Sequence, residues 1–170
     1  MNLKATLSVS SLNKLKEQVD AYRDALPQKE QAMLQAMADR GFDLVLVNLS
    51  GIEYTGELIN SISTTVNQGH ASINVNSKHA IYVEFGTGPK GSASPYVHAV
   101  DTGIAYPYMV GDTIGWYKTK GEWRFGWFYP DEMTGTYRFT EGMPSRPYMY
   151  NTAQQLRQEL TTIIRGAWSE

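Results

Sequence analysis

Cysteine is absent from this 170-residue chain. The absence excludes disulfide bonds, cysteine zinc sites and thiol nucleophiles, and it is compatible with folding in a reducing cytoplasm. A surplus of either charge is also missing, because 15 Lys and Arg residues stand against 17 Asp and Glu residues. The resulting net charge of -2 leaves no basic footprint for tight nucleic-acid binding.

Long apolar runs are missing too, since no stretch of the sequence approaches the ~20 apolar residues that cross a membrane. The N-terminal stretch MNLKATLSVSS has neither a long apolar core nor a cleavage signal. We therefore expect no secretion signal and no membrane span.

Patterns that carry catalysis or bind metals are equally scarce. The histidines His70, His79 and His98 show no metal-ligand spacing and have no acidic cluster beside them. No G-x-S-x-G elbow is present, and residues 86–90, GTGPK, lack the spacing of a phosphate-binding loop. The sequence thus predicts a protein that is not an enzyme and that holds no cofactor or metal.

The composition itself is that of an ordinary globular protein, 42% hydrophobic and 19% charged. We expect one domain over residues 1–170, which at this length can bury roughly two-thirds of its unfolded surface. The apolar patterns predict an α+β fold, in which a small antiparallel sheet packs against N-terminal helices and a long C-terminal helix.

The N-terminal third predicts a strand followed by helices. Leu3 to Val9 alternates between apolar and polar residues, as half-buried strands do. Apolar residues at steps of three and four predict a helix from about Leu12 to Ala25, and we expect Pro27 to end it and begin a second helix. Residues 42–47, FDLVLV, fit either a strand or the end of a longer helix.

The middle of the chain predicts a hairpin, formed by Ile59 to Asn67 and Ala71 to Val75 around a turn at residues 68–70. His79 to Phe85 is a further short element, either helix or strand. The C-terminal segment predicts a long helix that begins near Pro147 or Tyr148. Its apolar stripe, which we expect to cover the sheet, contains Met149, Ala153, Leu156, Leu160, Ile163 and Ala167.

Residues 89–142 form an aromatic, Gly-rich insertion. Pro89 to Tyr108 is typical of an ordered loop, and residues 113–129 predict an aromatic hairpin to which Tyr137 and Phe139 add a strand. These aromatic side chains could form the core of a small sheet, an interface with another protein, or a platform for sugars or bases. The interface candidates are Tyr106, Tyr108, Trp116, Trp123 and Trp127.

Two runs of residues have a distinctive chemistry. Residues 79–88, HAIYVEFGTG, hold one carboxylate, Glu84, among apolar side chains, and residues 142–150, GMPSRPYMY, frame Arg146 with two prolines. We predict that Glu84 and Arg146 interact, directly or through backbone amides beside the turn. We also predict that Gly86 and Gly56 lie where a left-handed backbone or a close approach requires glycine.

These runs resemble the HK97 gp10-like family of tailed-phage tail-completion, or head–tail joining, proteins. The resemblance rests on three runs in the order typical of that family: residues 55–62, TGELINSI; residues 82–87, YVEFGT; and residues 144–149, PSRPYM. It favours a long helix over residues 42–49. The family's motif residues correspond here to Thr55, Gly56, Leu58, Ser61, Glu84, Phe85, Gly86, Thr87, Arg146 and Pro147.

The resemblance implies a structural protein of the virion neck, made in the host cytoplasm. Such a protein forms a homo-oligomeric ring between the connector of the DNA-filled head and the long tail of a siphovirus. Its partners would be a head-closure or connector protein and a tail terminator or tail tube protein, and DNA would pass through the lumen without specific binding. The alternatives are a carbohydrate-binding module built on the Trp and Tyr hairpin, and a small hydrolase with no visible signature.

Overall fold

The computed structural model describes residues 8–52, 56–99, 103, 114–131 and 134–169. The fold of this part of the chain is α+β, as the sequence predicts, but it contains two small antiparallel sheets rather than one. Within these residues, no helix is both long enough and apolar enough to cross a membrane.

The first helix, α1, runs from Val9 to Leu49 and begins at an N-cap, Ser8, whose side-chain oxygen accepts a hydrogen bond from the Ser11 amide. The prediction of two helices separated at Pro27 is wrong, because Pro27 lies inside this single helix. A proline already has a helical φ, although it removes one backbone hydrogen bond and its ring crowds the carbonyl four residues earlier, so the helix continues past it at that cost.

Two other N-terminal predictions have different outcomes. Residues 42–49 are helical, which confirms the long helix that the resemblance favours. The predicted strand Leu3–Val9 falls outside the described residues except for its last two positions, and Val9 already belongs to α1.

A helical turn and a hairpin follow α1. Helix α2 spans Glu57–Asn60, so the predicted strand begins three residues late, at β1, Ile62–Asn67. Strand β2, His70–Val75, pairs with β1 in antiparallel register, with Ile62 opposite Val75. The hairpin is therefore confirmed.

The next two elements are short helices. Helix α3, Ala80–Phe85, settles the choice between helix and strand for the first motif run. Helix α4, Gly88–Ala93, occupies part of the segment expected to be a loop. Pro89 lies in its first turn, where the missing proline N–H breaks no helical hydrogen bond.

The second sheet has the order β3-β4-β5 and contains β3, Gly115–Thr119, β4, Glu122–Asp131, and β5, Thr136–Thr140. β3 pairs with the first half of β4 and β5 with its second half, both antiparallel. This arrangement confirms the aromatic hairpin and its added strand.

The last helix, α5, runs from Tyr148 to Ser169 and packs antiparallel to α1, whereas its apolar stripe was expected to cover the sheet. Polar side chains join the two helices at several positions along their length. Asn48 donates hydrogen bonds to Thr152 and Gln155, both at 3.0 Å. Arg40 forms a bidentate ion pair with Glu159 at 2.6 and 2.8 Å.

The core lies where the end of α1 meets α2, the first hairpin, α3 and the start of α5. The side chains of this cluster are buried and come from each of those elements: Val45, Leu49, Leu58, Ile62, Val83 and Tyr148.

Candidate functional site

A buried carboxylate joins the two distinctive sequence runs. Glu84, near the end of α3, is only 7% exposed. Its two carboxylate oxygens accept hydrogen bonds from the backbone amides of Met149 and Tyr150, at 2.9 and 3.0 Å. These amides belong to the first turn of α5, where backbone N–H groups have no partner within the helix and the helix dipole is positive. Glu84 therefore acts as the cap of α5 from a distant part of the chain.

Burial and hydrogen bonding shift the pKa of Glu84 in opposite directions. Burial raises the pKa of the Glu84 carboxyl above 4.5, although the hydrogen bonds from α5 amides oppose the shift. Burial and the neighbouring Glu84 charge raise the pKa of Tyr148 to about 12. Each carboxylate oxygen accepts a hydrogen bond from one amide, so Glu84 holds the start of α5 against α3.

Backbone hydrogen bonds connect the same two runs on either side of Glu84. The Arg146 amide donates to the Val83 carbonyl at 2.9 Å, and the Ser145 hydroxyl donates to the Glu84 carbonyl at 2.7 Å. Further along, Thr87 and Met143 exchange two backbone hydrogen bonds at 2.9 and 3.2 Å. We call this set of contacts, together with the carboxylate cap, the motif junction.

The Glu84 carboxylate bonds to backbone amides after the Pro-framed turn, whereas the Arg146 amide bonds to the neighbouring Val83 carbonyl and not to Glu84. The Arg146 side chain is exposed, and no ion pair joins it to Glu84 in the described part of the chain. A carboxylate buried against a helix start already has amide donors, so it needs no guanidinium. What Arg146 contributes to the motif junction is its backbone amide.

The two glycines predicted to be conformationally required differ. Gly86 has φ 80°, and a Cβ there would lie 2.6 Å from the Ser145 nitrogen, so glycine is required. Gly56 has φ -51°, and a Cβ would meet nothing closer than 3.6 Å. The prediction is thus confirmed for Gly86 and wrong for Gly56, which occupies an ordinary helical turn.

Two residues of the first motif run, Leu58 and Ser61, lie in or beside the core. Leu58 is buried in the same cluster as Val83 and Tyr148, and the Ser61 hydroxyl donates to the Leu58 carbonyl at 2.7 Å. Thr55 lies outside the described residues.

Phe85 and Pro147 flank the motif junction. The Phe85 ring is half-buried and packs edge-on against Tyr96 at 4.8 Å. The Pro147 carbonyl accepts a hydrogen bond from the Asn151 amide at 2.9 Å, which helps to start α5.

Sequence reasoning missed the aromatic contacts beside this junction. Tyr96 is buried, and His98 stacks on Tyr150 with ring centroids 3.6 Å apart. Both residues lie in a segment whose Gly, Pro and Ser content predicted only a loop. Pairing of a loop residue with a helix 50 residues later leaves no signal in local periodicity.

The interface candidates separate into three groups. Trp116 and Trp123 are exposed at 66% and 67%, and the strand register places both on one face of the second sheet. Trp127 is buried, with its ring against Gly88, and belongs to the core. Tyr106 and Tyr108 lie outside the described residues.

A cleft of about 190 Å³ lies between α3, the sheet and the motif junction. Its walls combine aromatic rings with hydroxyl groups, and they include Trp127 and Tyr129, which share the sheet face of Trp123. The remaining lining residues are His79, Tyr82, Thr87, Thr140, Gly142 and Met143. Across the described residues, no three His, Asp or Glu side chains cluster as a metal site would require.

Comparison with known proteins gives no relative: no family model, curated protein or solved structure matches this chain.

Proposed function

We propose that this chain is a structural protein of the neck of a long-tailed phage, which completes the tail and joins it to the head. In this role it forms a ring on the head connector, and it works through contacts with other proteins rather than by catalysis. The ring would sit in the virion between a head-closure or connector protein and a tail terminator or tail tube protein.

The observation that supports the proposal best is the convergence of the three sequence runs. Leu58 from the first run, Val83 from the second and Tyr148 from the third pack in one buried cluster. The hydrogen bonds of the motif junction then tie the second run to the third. A shared fold requires the three runs to meet in this way, so the convergence supports the resemblance.

The charge of the chain is compatible with a lumen through which DNA moves. A net charge of -2 offers the phosphate backbone no strong attraction. Binding to DNA is expected to be weak and independent of sequence.

The proposal is tested by incorporation into particles. Antibody-gold labelling of virions that carry this chain should place the label at the junction of head and tail. Label distributed along the tail, on the capsid, or absent from intact virions would contradict the proposal.

A second function is favoured by one specific feature, the pair of exposed indoles Trp116 and Trp123 on one sheet face. Flat exposed aromatic rings stack on sugars, and the cleft beside Trp127 and Tyr129 continues that face. A glycan array with the wild-type protein and a Trp116→Ala, Trp123→Ala double variant decides this alternative. Glycan binding that the double variant loses would establish a carbohydrate-binding module.

A further inference from the structure

The second sheet holds a pocket lined by cationic side chains from three of its segments. Its volume is about 370 Å³, and Tyr129 separates it from the cleft described above by lining both. Lys120 comes from the turn between β3 and β4, Arg124 from β4 and Arg138 from β5. The remaining lining residues are Thr119 and Phe139. No Asp or Glu is among the described residues that line this pocket, which we call the basic pocket.

Two carboxylates outside the lining hold the arginines by one edge. Arg124 Nε donates a hydrogen bond to Glu141 at 2.8 Å, and Arg138 Nε lies 3.1 Å from Asp131. Within the described part of the chain, the terminal Nη nitrogens of both arginines donate no hydrogen bond. Pairing and the exposed Glu122 beside Arg124 reduce the local net charge. The guanidinium groups are nevertheless oriented, and their Nη nitrogens remain available to a ligand.

Lys120 has an unfavourable backbone conformation. Its φ of 53° is the only left-handed value of a non-glycine residue among the described residues. Together with Gly121, whose φ is 90°, it forms the two-residue turn between the paired Thr119 and Glu122. Such turns favour Asn, Asp or Gly at the position of Lys120. Lysine therefore makes the turn less stable than asparagine would, and what it adds there is an ammonium group for the basic pocket.

The Thr119 hydroxyl is a buried polar group without a partner. Among the described residues that are not exposed, its oxygen is the one buried side-chain oxygen or nitrogen that makes no hydrogen bond. A buried hydroxyl in this state destabilises the folded protein. Thr119 lines the basic pocket, whose other polar groups include three cations that can only donate. An acceptor that entered the pocket would be the partner that all four side chains lack.

We infer that the basic pocket binds phosphate, either as the free ion or as the phosphate group of a small molecule. One ammonium, two guanidinium groups and one hydroxyl line it from three segments of the sheet. A phosphate offers at least three acceptor oxygens that point in different directions, whereas a carboxylate offers two in one plane. The site therefore suits phosphate better than a carboxylate.

The size of the basic pocket fits a small ligand and not a nucleic acid. A volume of about 370 Å³ is larger than a phosphate ion, which leaves room for an organic group beside the Tyr129 ring. Three cations in one pocket do not form the extended basic surface along which a nucleic-acid backbone binds. The inference is independent of the neck proposal, because it concerns a ligand of the single chain.

Calorimetric titration of the purified full-length protein with inorganic phosphate, at constant pH and ionic strength, tests the inference. We expect saturable binding of one phosphate per chain, with no competition from acetate at the same concentration. Phenyl phosphate that binds more tightly than inorganic phosphate would identify the ligand as a phosphate ester, and equal affinity would identify it as the free ion. Absence of saturable phosphate binding, or equal competition by acetate, would overturn the inference.

Two variants separate binding from folding. Lys120→Asn should weaken phosphate binding about tenfold, through loss of one charge-assisted hydrogen bond, and should raise the unfolding temperature because asparagine suits the turn. Thr119→Val should also weaken binding, without lowering the unfolding temperature, because it removes an unpaired hydroxyl. A fold that is kept or stabilised while binding falls cannot be explained by misfolding.

The matched control is Lys118→Gln, which removes the same charge two residues away from a side chain outside the basic pocket. This variant should bind phosphate as wild type does. Equal weakening in Lys118→Gln and Lys120→Asn would show a general attraction between charges and would overturn the inference. Unchanged binding in both Lys120→Asn and Thr119→Val would overturn it as well.

Discussion

Glu84 is a buried carboxylate that accepts hydrogen bonds from the first amides of α5. Its burial raises the pKa, whereas the two α5 amides favour the charged form. A buried charge without partners is strongly destabilising, and the amide hydrogen bonds offset that cost here. Residues 79–88 indicated an isolated carboxylate, but amide partners 65 and 66 residues away could not be read from local sequence.

Replacing Glu84 by Ala should lower the free energy of unfolding by about 1–3 kcal/mol, because two amides of α5 lose their acceptor in a buried site. The matched control is Arg146→Ala, which keeps the amide that bonds to Val83 and removes only an exposed side chain. That variant should stay within about 0.5 kcal/mol of wild type. Urea denaturation measures both, and equal losses would instead indicate a working Glu84–Arg146 pair.

The raised pKa of Glu84 also predicts a pH dependence. The folded state holds the Glu84 proton more tightly than the unfolded state, whose pKa is near 4.5. Its contribution to stability is therefore fully present below that pH and is lost as pH rises through the folded-state pKa. The unfolding free energy of wild type relative to Glu84→Gln should fall with rising pH across this window. A flat or rising difference would contradict the assignment.

The comparison with Glu84→Gln is needed because other carboxylates act in the opposite direction. Hydrogen bonding to Arg124 lowers the pKa of Glu141, and hydrogen bonding to Arg40 lowers that of Glu159. These two groups lose their contribution as pH falls, and both are present in wild type and variant alike. Their effect cancels in the difference.

Gly86 and Gly56 provide a matched pair for a backbone prediction. Gly86→Ala should cost more than about 1 kcal/mol, since φ is 80° and the added Cβ meets the Ser145 nitrogen. Gly56→Ala should be neutral or slightly stabilising, because its backbone is right-handed and open. Thermal unfolding of both variants checks the prediction, which fails if the two substitutions have the same effect.

At the scale of elements, periodicity predicted the helices and strands whose apolar pattern is complete within one short segment. The hairpins and the helix from Tyr148 follow patterns of two and of three and four residues, and they are confirmed. Pro27 was misleading because a proline only disfavours a helix interior, through one lost hydrogen bond and a crowded carbonyl, and the helical segments on both sides outweigh that cost. Gly56 was misleading because glycine is favoured where the backbone is left-handed, whereas this glycine lies in a right-handed turn.

The first part of α1, residues 9–26, should be the least stable part of the helix, because α1 has no buried residue before Leu34. In the isolated protein, amides of residues 9–26 are expected to exchange with solvent much faster than those of residues 34–49. Pro27→Ala should slow exchange in residues 9–26 by restoring a helical hydrogen bond. Hydrogen exchange followed by mass spectrometry measures this, and equal protection along α1 at low concentration would refute it.

At the scale of the whole molecule, the chain builds its own core from α1, α2, β1, α3 and α5. We expect the isolated protein to be mainly monomeric at micromolar concentration, since a chain of this length buries its own core without a second copy. Sedimentation should give a mass close to that of one chain, 19.1 kDa. A stable ring in the absence of any partner would contradict this expectation.

The neck assignment itself is tested most directly in a phage that encodes this chain. Its reading frame is interrupted, and the particles that form are viewed by electron microscopy with and without the wild-type chain supplied from a plasmid. The account predicts DNA-filled heads and tails that remain separate, with joining restored by the plasmid. Intact, infectious, tailed particles from the interrupted phage would contradict it.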